Sequence, residues 1–114
     1  MVIGILAVKE LKKAEFDINN GRNIEHYKWH EHPDIRALIA RSDFAPPAYI
    51  IDDAPEVRLG LIQTNKWIDR IATREQNPIL ILEIIKSGCI LNRWRRSHDE
   101  SIQKAIANIE GDDG

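Results

Sequence analysis

Nineteen isoleucines stand against three valines and two threonines in this chain. Sheets draw on Val, Thr, Tyr, Phe and Trp together, because all of these fit a pleated, half-buried surface. Here they are scarce. Glu, Lys, Arg, Ala and Leu, which lose little rotamer freedom in a helix, are plentiful. The balance predicts a mainly α protein, a compact bundle of about five helices with one or two short strands at most. The alternative is an α+β chain with a hairpin at 79–94.

Segment patterns carry the same expectation. Ile3, Leu6, Leu11, Ala14 and Ile18 recur at spacings of three, five, three and four, near those of an amphipathic helix, and Asn19-Asn20-Gly21 supplies its stop. The competing reading makes residues 2–8 a short buried strand. Pro33 suits the first turn of a helix carrying Ile35, Leu38 and Ile39 on one face. Phe44-Ala45-Pro46-Pro47-Ala48 breaks it, and Tyr49-Ile50-Ile51 reads as extended. Asp53 and Glu56 form a capping-box pattern around Pro55. Val57, Leu61, Thr64, Ile68 and Ile71 then predict one long helix over 55–75. Asn77-Pro78 and Gly88 bound a helix, Ile79 to Ile85, that is apolar nearly all round. Ser97 with Glu100 opens the last helix, which carries Ile102, Ala105, Ile106 and Ile109 and stops at Gly111.

At 114 residues the expectation is a single helical domain, 1–110, followed by an acidic tail, 111–114. No apolar run that excludes glycine exceeds four residues, so no membrane-spanning segment is expected. Residues 2–8 lack a preceding cationic stretch, so no secretory leader is expected. The single cysteine, Cys89, forms no internal disulfide and fits a reducing, cytoplasmic setting. A net charge of −2 argues against a protein whose whole surface coats nucleic acid.

Positive charge is instead local. Lys86, Arg93, Arg95 and Arg96 fall with Trp94 in an eleven-residue stretch, 86–96, that contains no acid. Lys66, Arg70 and Arg74 stand four apart, which on one helix would place them on one face. Should the two stretches pack side by side, their cations line a common surface suited to phosphates or carboxylates. The first expectation is therefore a small non-enzymatic binding or regulatory protein. It associates with a protein partner or itself through Ile79–Ile85. It presents Lys66, Arg70, Arg74, Arg93, Trp94, Arg95 and Arg96 to an acidic partner or nucleic acid. No cofactor is expected.

Two further patterns carry chemistry. Arg93 and His98, with four residues between them, resemble the Arg-x4-6-His signature of the HEPN family of small all-helical ribonucleases. The resemblance covers Asn92 to His98. It implies metal-independent RNA cleavage by Arg93 and His98, often across a dimer interface. Trp94 follows the arginine where that family commonly has a polar residue. Separately, His26, His30 and His32 cluster, and His26 and His30 at i, i+4 have the spacing of helical transition-metal ligands. No metal is the leading expectation, with this trio as the alternative site.

Overall fold

The computed structural model describes residues 8–111. The apolar positions Ile3 and Leu6, the competing strand at 2–8 and all of the acidic tail beyond Gly111 lie outside them. The protein is mainly helical, with eight α-helices, one 3-10 helix and no strand among the described residues. The chain divides into two compact units, the first running to Leu61 and the second starting at Ile62.

In the first unit α1 (Val8–Asn19) and α2 (Ile24–Lys28) both pack on α3 (Pro33–Ala40). α1 buries a narrow stripe of Ala14, Asp17 and Ile18. α3 opens on Pro33, and the preceding His32 caps it by accepting the Asp34 N–H on Nδ1 at 3.3 Å. Its Ile35, Ala37, Ile39 and Ala40 are buried. Tyr49-Ile50-Ile51, expected to be extended, lies instead in a 3-10 helix, Pro47–Ile51, since Pro47 at its start sets a helical φ. Tyr49 is 1% exposed there, and its hydroxyl donates to Lys28 O at 2.8 Å. Arg36 ties the loops together: Nε and Nη2 donate to the two Asp52 oxygens at 3.0 Å each, and Nη1 donates to His30 O at 2.8 Å. Asp52, not the expected Asp53, accepts the Ala54 N–H just ahead of α4 (Pro55–Gln63). Gly60 is required where α4 meets α3, because a Cβ on it would lie 2.9 Å from Ala40 Cβ and 3.3 Å from Ala37 O.

The predicted helix over 55–75 is two helices. α4 stops at Gln63, and α5 (Ile68–Arg74) begins after Asn65 and Trp67 adopt left-handed backbone, φ 58° and 54°. Asparagine tolerates that region well; tryptophan rarely occupies it. The apolar spacing continues in phase across the break, which is why periodicity does not reveal it.

In the second unit α6 (Pro78–Lys86) packs against α5 and, most extensively, against α8 (Glu100–Glu110). α7 (Asn92–Arg95) is a single turn lying on α8. The hairpin alternative at 79–94 does not form. The caps decide for helix: Asn77 Oδ1 accepts from Ile79 N at 2.9 Å and Leu80 N at 3.4 Å, and Gly88 (φ 100°) closes the other end. Leu80, Ile81, Ile84 and Ile85 are buried, so the apolar face expected to meet a partner is mostly used internally; Ile79 alone of this run is strongly exposed, at 66%. α8 is capped by Asp99, whose Oδ1 accepts from Ser101 N and Ile102 N at 2.8 and 3.3 Å, while Ser97 Oγ accepts from Asp99 N. The cap is thus two residues later than the pattern suggested. No helix among the described residues is long and apolar enough to cross a membrane.

Candidate functional site

The second unit brings the two cationic stretches together, though not with every cation outward. Arg93 extends from α7 to the C-terminus of α5. Its Nη2 donates to Ala72 O at 2.7 Å and Glu75 O at 3.1 Å, and its Nη1 to Thr73 O at 3.1 Å. These carbonyls have no partner within a helix that ends at Arg74, and their dipoles favour a cation. Arg93 is therefore a C-terminal clamp for α5, with its fork already occupied.

Arg95 pairs with Glu110 near the end of α8, Nη1 to Oε1 at 3.0 Å and Nη2 to Oε2 in a short second bond. The pair raises the arginine's pKa and lowers the carboxyl's, in each case through the shared hydrogen bonds first. Trp94, expected as part of the outward surface, is 3% exposed and belongs to the core. It offers no stacking face, and its buried Nε1–H has no acceptor among the described residues. Gln103 locks the turn to α8 by donating from Nε2 to Trp94 O, Arg95 O and Ser97 O at 3.0, 3.2 and 2.8 Å.

Arg70 and Arg74 on α5 and Arg96 just after α7 are exposed, and none forms an ion pair among the described residues. Lys66 lies in the segment between α4 and α5 and donates to Thr64 Oγ1 at 2.7 Å. The single-face register of Lys66, Arg70 and Arg74 is thus corrected to Arg70 and Arg74. Nearby Cys89 lies 3.8 Å from Asp69 Oδ1, and burial, then that carboxylate, pushes its thiol pKa up, which favours the protonated thiol.

His98 is exposed and directly precedes the α8 cap Asp99. Among the described residues nothing joins it to Arg93, whose fork points into the end of α5 instead. Within one chain the Arg93–His98 pair is not assembled.

The histidine trio lies in the first unit. His26 is on α2, but His30 follows the end of that helix, so the two do not share a continuous helical face. Their rings are 5.7 Å apart and perpendicular. His30 Nδ1 accepts from His32 N at 3.0 Å, and His32 Nδ1 serves the α3 cap. Two ring nitrogens are thus spent on backbone amides. Among the described residues no group of three or more His, Cys, Asp or Glu side chains could hold a metal ion. The alternative metal site of His26, His30 and His32 does not form.

His26 and His30 instead line a cleft of 510 Å³, with Glu10 and Lys13 of α1 on the other side. Beneath it Asp17, 5% exposed, accepts from Tyr27 Oη at 2.6 Å and Lys13 Nζ at 3.1 Å. The Tyr27 bond first, then Lys13, lowers the carboxyl's pKa, and the same bond pushes the Tyr27 phenol up to about 12.

No family model, curated protein or solved structure matches this chain. Its own geometry is the ground for any functional reading.

Sequence reasoning missed Asp17, Tyr27, Lys13 and Glu110. Lys13 and Asp17 stand at i, i+4, the spacing of a helical ion pair, and that signal was present. The ten-residue reach from Asp17 to Tyr27 and the fifteen-residue reach from Arg95 to Glu110 had no such mark.

Proposed function

We propose that this is a non-enzymatic binding protein whose second unit docks a polyanionic partner, nucleic acid in the first instance, on Arg70, Arg74 and Arg96. One observation carries the reading. The Arg93 fork bonds to carbonyls on both sides of Arg74, and Arg96 follows Arg93 by three residues. Exposed cations from two distant stretches therefore flank one junction. Trp94 supports that junction from within, while the forks of Arg93 and Arg95 are already engaged, by the α5 carbonyls and by Glu110; Lys66 precedes α5 in the chain. Phosphate contacts of this kind supply affinity without reading sequence. Ile79 and Ile109, 66% and 41% exposed, are the apolar residues of this unit left for association with a protein partner or a second copy.

Mobility shifts with single- and double-stranded RNA and DNA test the proposal. Binding that weakens as salt rises, and that Arg74→Glu abolishes without loss of helicity, supports it. Binding indifferent to salt contradicts phosphate contacts. RNA turnover that disappears with His98→Ala contradicts the non-enzymatic reading and favours the ribonuclease.

A further inference from the structure

The cleft lined by His26 and His30 plays no part in that reading, yet titratable side chains converge on it. Three features give it the character of a built site. First, the buried Asp17 is bonded by side chains that also line the cleft: Tyr27 at 2.6 Å and Lys13 at 3.1 Å. A buried carboxylate satisfied by the walls of a cleft orients those walls. Lys13 spends one of three donors on it and remains exposed, its side chain at 70%.

Second, His30 has a defined donor. Because its Nδ1 accepts the His32 N–H at 3.0 Å, the neutral ring must carry its proton on Nε2. Third, the His26 ring stands perpendicular to it with centroids 5.7 Å apart, a separation that one oxyanion can bridge. Ile35, 2% exposed, and the Tyr27 ring supply an apolar floor.

We infer that this cleft binds a phosphate monoester, its oxyanion held between the imidazoles of His26 and His30 beside Lys13, with the ester group over Ile35 and Tyr27. The cleft volume of 510 Å³ leaves room for more than a bare ion. The phosphoryl group is preferred to a carboxylate because its second ionisation, near pH 6, falls in the range where imidazole titrates.

Charge dictates proton uptake. Lys13 is offset by Asp17, and Glu10 opposes an anion from α1. His26, His32 and Arg36 disfavour the charged form of His30, Glu31 favours it, and burial is the largest influence and disfavours it. The neutral form of the free His30 imidazole is therefore favoured, and a bound dianion beside it favours the protonated form. Affinity then rises as pH falls.

Calorimetric titration of the intact chain with phenyl phosphate, at about pH 6 and about pH 8, tests this, with imidazole proton resonances followed in parallel. The expected result is one site, with affinity changing about tenfold per pH unit for each proton taken up. His26 and His30 should both shift, and phenylacetate should bind much more weakly. His30→Gln, which keeps a donor but cannot carry charge, should lose most of the pH dependence, and His26→Gln should weaken binding, both while keeping native circular dichroism. No heat and no His26 or His30 shift at millimolar phenyl phosphate would overturn the inference. So would phenylacetate binding as tightly, or glutamine variants that bind as the wild type does. Should a variant fail to fold, the two wild-type imidazole resonances still decide.

Discussion

Arg93 shows how an exposed cation becomes structural. Its guanidinium satisfies three carbonyls at the end of α5, across 18 to 21 residues of sequence. Arg93→Ala should cost about 1–3 kcal/mol in urea unfolding, since several partly buried acceptors lose their donor at once. Arg93→Lys should recover only part, because an ammonium cannot serve the fork geometry. A loss indistinguishable from that of an exposed arginine such as Arg96 would show that the clamp is idle. Tyr27 gives a second residue-scale expectation. Its phenol is raised from 10 to about 12 by Asp17, so the stabilising bond is fully present below pH 10 and disappears as pH rises through 12. The stability difference between wild type and Tyr27→Phe should shrink over that window. At the acid end the lowered Asp17 gives the opposite sign: its contribution is present above 3.8 and is lost as pH falls further. The cations were legible in the sequence because charge and local density are read directly. Their internal use was not, because carbonyl acceptors and Glu110 lie far along the chain and leave no local pattern.

Helix ends were the most readable elements. Asn77-Pro78 and Gly88 delimit α6, and Pro33 opens α3, because each residue acts on its own neighbours. Asn77→Ala should lower stability by about 0.5–2 kcal/mol in thermal or urea unfolding, two amides losing their acceptor. The break between α4 and α5 was unreadable for the converse reason. Its left-handed residues, Asn65 and Trp67, interrupt a stripe whose spacing never falters. The meeting of α4 and α3 was equally hidden, since one glycine in a helix pattern does not announce a close approach. Gly60→Ala should destabilise by about 1–3 kcal/mol despite alanine's better helix propensity, because the new methyl meets Ala40 Cβ and the Ala37 carbonyl. A stabilised variant would mean that α3 and α4 part without cost.

For the molecule as a whole, composition pointed correctly to a mainly helical chain. Isoleucine fills helix faces here: Ile35 and Ile39 in the first unit, Ile71, Ile84, Ile85, Ile102 and Ile106 in the second, are all buried. With a net charge of −2, attraction to a polyanion has to come from a local surface and not from the total. The central claim is that Arg70, Arg74 and Arg96 make one such surface. The most direct measurement is the dependence of nucleic-acid affinity on salt, by fluorescence anisotropy, for the wild type and for Arg70→Gln, Arg74→Gln and Arg96→Gln. The account predicts that log affinity falls linearly with log salt and that each substitution reduces the slope by about one, whatever the base sequence. Three substitutions that leave both affinity and slope unchanged would contradict it.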